Sequence, residues 1–142
     1  MRGDVLLVDD NEDFLRVARN ILIGEDFSVH TAATSREAIA FLERCGTDRG
    51  APLPSFVVLD YRLEIPATAL DVLARMARQP LLRAMPVLVI SQSRWPEDEA
   101  AARAAGATAF REKPSSIRAL RELLVRFWKE AVDGAHHPAD RG

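Results

Sequence analysis

Five residues able to do chemistry stand at or just past the ends of apolar stretches. Asp9 and Asp10 follow "DVLLV", Asp60 closes "SFVVLD", Ser91 closes "PVLVIS", and Lys113 lies shortly after "ATAFR". Three carboxylates brought together repel one another unless a cation sits among them. Oxygen ligands without sulfur or imidazole nearby select a hard ion such as Mg2+ (or Mn2+). A lysine and a hydroxyl added to that set complete a site for a transferable phosphoryl group, since metal and ammonium offset its charge and the hydroxyl donates to a phosphoryl oxygen. One of the carboxylates is then the nucleophile.

These side chains need a scaffold that brings the run ends together. The apolar runs at residues 4–9, 27–31, 55–60, 86–91 and 107–111 read as strands, and the central three lack polar alternation, as in a parallel sheet covered on both faces. Between them lie amphipathic segments. The first turns Phe14, Ala18, Ile21 and Leu22 inward; the second opens with Thr34 and Glu37 at capping-box spacing and turns Ala38, Ile39 and Leu42 inward. A third helix is expected over 69–83, and a fourth from Pro96 to a C-cap at Gly106. The fifth, over 116–132, carries Ile117, Leu120, Leu124, Phe127 and Ala131 on one stripe. Leu123 and Trp128 fall off that stripe, which leaves core packing and a dimer contact both open. Strands alternating with helices predict a doubly wound, five-stranded parallel α/β sheet, in which ligands bind beyond the carboxyl ends of the strands.

A chain of 142 residues favours one domain, expected over residues 1–133, with a frayed, flexible tail over 134–142 and no appended output module. A net charge of −2 offers no field suited to nucleic acid. The N-terminus has only a four-residue apolar run before acids, so neither a signal peptide nor a membrane span is expected, and the location is read as cytoplasmic. Cys45 is the single cysteine, which excludes an internal disulfide and reads as a packing group. His30, His136 and His137 are expected to lack partner residues.

Taken together, "LLVDDNE", "VVLD", "VLVIS" and "AFREKP", in this order over roughly residues 3–132, resemble the receiver domains of two-component response regulators. The resemblance implies a flavodoxin-like sheet of order 2-1-3-4-5. It also implies that Asp60 takes a phosphoryl group from a phosphohistidine of a sensor histidine kinase. Asp10 would be a direct Mg2+ ligand, Asp9 would act through water, and the backbone carbonyl of Arg62 would be the third protein ligand. Ser91 stands where the family has its switch hydroxyl, Lys113 at the phosphoryl-binding lysine, and Phe110 at the aromatic that turns on activation. Such a module signals rather than acting as an enzyme, through the surface of the fourth helix, fifth strand and fifth helix, where many receivers form homodimers. More narrowly, "RGAPLPSFVVLDYRL", the S-x-S after the fourth strand and "LLVRFWKEAV" are similar to the single-domain regulators paired with phytochromes, so a bacteriophytochrome is a candidate kinase partner.

The segment after Asp60 departs from that pattern. Glu64 and Thr68 replace the usual proline and glycine, the proline is Pro66, and one extra residue precedes Leu73. Arg62 and Gln92 are expected to overhang the acyl phosphate and prolong its life. Arg62 also holds the place where phosphohydrolases of the haloacid dehalogenase kind need a second acid, which argues against that chemistry. A nucleotide-binding reading fails because "VDDNED" would repel phosphate. A receiver used only as a phosphorylation-independent binding platform is the remaining alternative.

Overall fold

In the computed structural model, which describes residues 2–45, 52–64, 66–92 and 95–133, five strands form one parallel sheet. They are β1 (Gly3–Val8), β2 (Phe27–Ala32), β3 (Phe56–Asp60), β4 (Val87–Ser91) and β5 (Ala109–Glu112), in the order β2-β1-β3-β4-β5. Around them lie α1 (Glu12–Gly24), α2 (Ser35–Cys45), α3 (Ala69–Met76), the one-turn α4 (Pro80–Arg83), α5 (Pro96–Ala104) and α6 (Ile117–Phe127). The apolar runs lack polar alternation because both of their faces are covered. Val5, Leu7, Phe56, Val58, Leu88 and Ile90 pack with Leu15, Ala18 and Leu22 of α1 and with Leu120, Leu124 and Phe127 of α6. The intervening Leu6, Val8, Val57, Leu59, Val87 and Val89 pack with Leu42 of α2, Val72 and Leu73 of α3, and Ala102 of α5. Side chains of a strand alternate between faces, so one unbroken run serves two cores.

Several local expectations are corrected. The stretch expected as one helix over 69–83 is two, α3 and α4, because Pro80 lacks an amide hydrogen and holds Gln79 extended, at φ −124° and ψ 128°. The helix expected fourth is therefore α5, and the one expected fifth is α6. That last helix is α-helical only to Phe127, and Trp128–Asp133 continues as a π-turn. Ile117, assigned to its inward stripe, is 58% exposed, because the buried face begins one turn later at Leu120. In α1 Leu15 is also buried at the first turn, and Phe14 packs half-buried against the same core. In α2, Phe41 is buried where Ile39 was expected, and Ile39 packs at the edge of the core.

Two local features were not read from the sequence. Gly3 has φ +136°, and a Cβ there would lie 2.4 Å from the Ser55 hydroxyl oxygen, so this entry to β1 requires glycine. His30 does have partners: its Nε2 is 3.1 Å from Asp4 Oδ1, and its ring lies 4.9 Å from that of Phe41. Cys45 is buried as expected, and its thiol donates to the Pro52 carbonyl at 3.3 Å. The expected tail over 134–142, with His136 and His137, and the S-x-S residue Ser93 lie outside the described residues.

Candidate functional site

β1, β3 and β4 are the three central strands, and their carboxyl ends bring Asp9, Asp60 and Ser91 to one edge of the sheet. Carboxylate oxygens of Asp9, Asp10 and Asp60 lie within 4.8 Å of one another. Asp9 is wholly buried and Asp60 is 5% exposed, whereas Asp10 is exposed at the rim. The backbone holds them there by continuing the ladders past the strands: the Asp9 amide donates to Ala32 O at 3.1 Å, and the Tyr61 amide to Ile90 O at 2.8 Å. Asn11 caps α1 by accepting from the Phe14 amide, and its own amide donates to Asp9 Oδ1 at 2.9 Å.

Lys113 completes the cluster. Its Nζ lies 2.8 Å from Asp9 Oδ2 and 4.3 Å from the ring centroid of Phe14, and its side chain is 7% exposed. Its amide donates to the Ser91 carbonyl at 2.7 Å, which ties the end of β5 to the end of β4. The two Asp9 oxygens are thus divided, Oδ2 facing the Lys113 ammonium and Oδ1 accepting from the Asn11 amide. The cluster is short of positive charge, with three carboxylates against one ammonium. Burial first, then the Asp9 charge, pushes the Asp60 carboxyl up to about 7; Lys113 and a hydrogen bond from the Arg62 amide oppose this, and Asp10 adds to it. Three convergent carboxylates with a single ammonium among them fit a hard divalent ion.

The remaining expected residues fall around this cluster. Ser91 is buried at the end of β4. Phe110 is fully buried in β5, with its ring 6.0 Å from that of Tyr61 in an edge arrangement. Gln92 is exposed. Leu123 and Trp128 pack against the α1/α6 core; the Trp128 ring lies 5.8 Å from that of Phe27, with the Arg2 guanidinium 4.8 Å above it. The core-packing account thus holds for this tryptophan.

A model of the response regulator receiver domain matches residues 5–125. The chain belongs to the response regulator receiver family. Response regulator Rcp1 of Synechocystis is 26% identical over 133 residues, covering 90% of this chain and 90% of that protein. Alginate biosynthesis transcriptional regulatory protein AlgB of Pseudomonas aeruginosa is 36% identical over 131 residues, but this chain spans only 27% of its length. Among solved structures, the phosphorylated cyanobacterial phytochrome response regulator RcpA superposes with a TM-score of 0.79 at 24% identity, covering 91% of this chain and 93% of that one. The Mn2+-bound form of Rcp1 superposes at 0.76 with 23% identity, covering 92% and 94%. At these identities the two structural likenesses establish the fold.

In this receiver the unusual loop after Asp60 is a closed structure. The Ala69 amide donates to Tyr61 O at 2.8 Å, Leu63 donates to Ala67 O at 3.3 Å, and Arg62 and Thr68 form an antiparallel bridge. Thr68 and Asp71 make a reciprocal capping box that starts α3. Glu64, at the place of the usual proline, has a role of its own: its carboxylate accepts from the Ser35 amide at 3.1 Å and from the Ser35 hydroxyl at 3.1 Å. Burial would raise the Glu64 carboxyl, but the Ser35 amide, its own amide and the Ser35 hydroxyl outweigh that and lower it. At α2 the expected Thr34–Glu37 box is half formed, since Thr34 accepts from the Glu37 amide while Glu37 reaches the Ala33 amide.

One residue in this region carried no sequence signal. Asp98, in the first turn of α5, takes the Arg62 guanidinium at 3.3 Å and a hydrogen bond from the buried Tyr61 hydroxyl. The Arg62 guanidinium also lies 5.4 Å from the Tyr61 ring centroid. An acid in the first turn of a helix is ordinary in sequence, and only the fold of the loop reveals its partner.

Proposed function

We propose that this receiver accepts a phosphoryl group on Asp60 from a phosphohistidine of a sensor histidine kinase. The observation that carries this reading is the buried Asp60 carboxyl held beside Asp9, Asp10 and Lys113 at the carboxyl edge of the sheet. An Asp60 oxygen attacks phosphorus, the phosphorus–nitrogen bond breaks, its electron pair stays on the imidazole nitrogen, and that nitrogen takes up a proton. Asp10, Asp60 and the Arg62 carbonyl would hold Mg2+ or Mn2+, with Asp9 acting through water. The ion supplies positive charge that keeps Asp60 ionised and offsets the incoming phosphoryl group. The Mn2+-bound form of the similar Rcp1 supports that choice of ion.

Lys113 is held in the acidic cluster by Asp9 and by its own amide, and its ammonium would offset the charge of the group that Asp60 receives. The Ser91 hydroxyl donates to a phosphoryl oxygen and Phe110 occupies the interior beside Tyr61, which biases the surface of α5, β5 and α6 between two populations. That surface is also where we place homodimer formation. The likeness to Rcp1 and to the phytochrome response regulator RcpA supports a bacteriophytochrome as the kinase. We place the domain at residues 1–133. The test is phosphotransfer from a panel of radiolabelled kinases that includes phytochrome-type ones. Base-labile label is expected on the wild type and none on Asp60→Asn; undiminished label on the variant would refute the assignment.

A further inference from the structure

The loop after Asp60 and the first turn of α5 share one guanidinium. Arg62 is two residues past the acceptor, and its side chain is long enough to reach a phosphoryl group there. It is turned instead toward Asp98, at 3.3 Å, while lying against the Tyr61 ring. The two ends of this contact are unlike: the Arg62 side chain is 64% exposed and that of Asp98 only 13%. Asp98 is thus seated by its helix and the Tyr61 hydroxyl, and Arg62 is the solvated partner. Tyr61 in turn meets Phe110 edge-on, so the clasp also rests on the interior aromatic of β5.

We infer that Asp98 is a positioning residue that holds the Arg62 side chain away from the acceptor, so that α5 and a phosphoryl group on Asp60 compete for one guanidinium. This rests on the phosphoacceptor reading above. A phosphoryl group carries more charge than a single carboxylate and offers bidentate oxygens to the guanidinium fork. Competition of this kind is reciprocal: whatever Asp98 removes from the phosphoryl contact, phosphorylation removes from the contact with α5. An Arg62 drawn over the acyl phosphate excludes the hydrolytic water, so loss of Asp98 lengthens the life of the phosphorylated state. The Arg62 end is solvated, and the expected change is about two- to fivefold.

The experiment is a double-mutant cycle in the full chain, using Asp98→Asn, which retains an acceptor for Tyr61, and Arg62→Met, which retains the apolar stem. Each protein is phosphorylated with acetyl phosphate and Mg2+, and loss of the phosphoryl group is followed by mass. Asp98→Asn is expected to slow the loss when Arg62 is present and to leave it unchanged in the Arg62→Met background. In parallel, beryllium fluoride is expected to speed amide exchange in the first turn of α5 in the wild type but not in Arg62→Met. An equal effect of Asp98→Asn in both backgrounds, or none in either, would overturn the inference while leaving Asp60 as acceptor. Failure of the wild type to take up phosphate on Asp60 would overturn both.

Discussion

Asp60 owes its unusual surroundings to where its strand ends, buried beside Asp9 and Asp10. Burial and the neighbouring Asp9 charge raise its carboxyl to about 7 from an ordinary 3.8, so the metal-free native state holds a proton that the unfolded chain has already released. Between those values stability must fall as pH rises, since the native state binds more protons than the unfolded one. Urea unfolding in EDTA should show this decline from about pH 4 to about pH 7, and Asp60→Asn should flatten it and be the more stable protein at neutral pH. Mg2+ should reverse the trend by stabilising the ionised form. Lys113→Met removes the partner of buried Asp9 and should cost about 3 kcal/mol at neutral pH by the same measurement, the usual penalty for breaking a buried pair. Asp9, Asp60, Ser91 and Lys113 were legible in the sequence because each follows an apolar run. Asp98 and Glu64 were not: acids in loops and helix first turns are commonplace, and their partners Arg62 and Ser35 come from the folded path of the β3–α3 loop.

At the scale of elements, the strands were legible because a short apolar run with no polar alternation suits a strand buried on both faces, and the helix limits were less so. Pro80 splits the third helix and a π-turn replaces the expected end of α6, both decided by local backbone rather than by periodicity, while Ile117 stays outside, a turn ahead of the buried face. The segment "EIPATAL" departs from the usual receiver loop, yet Glu64 turns that departure into a tie between the loop and the start of α2. Its carboxylate satisfies an amide at a helix start, a contribution typically of about 1 kcal/mol. Glu64→Ala should therefore lower stability by roughly that amount and speed amide exchange at Ser35, while leaving Asp60 able to be phosphorylated. Because this carboxyl is lowered by its hydrogen bonds, its contribution is present at neutral pH and is lost as pH falls below the ordinary 4.5. Gly3→Ala should destabilise the entry to β1, since it combines a positive φ with a Cβ that meets Ser55.

Across the whole molecule, two cores share one sheet, and the site sits where the three central strands end between them. Leu124 is fully buried in the α1/α6 core, so Leu124→Ala should cost about 2–5 kcal/mol in urea unfolding without altering which residue is phosphorylated. The class of fold followed from strand and helix periodicity, whereas the strand order came from the family resemblance, because hydrophobic pattern alone does not say which strands are neighbours. None of the described helices is long and apolar enough to cross a membrane. All of this places a buried carboxylate on a rigid strand end, where its chemistry is set by Asp9, Asp10 and Lys113. The most direct test is peptide mapping by mass after incubation with acetyl phosphate and Mg2+. One phosphoryl group on the peptide carrying Asp60, lost on base treatment, is the expected result; phosphate found on another residue, or no uptake at all, would contradict the account.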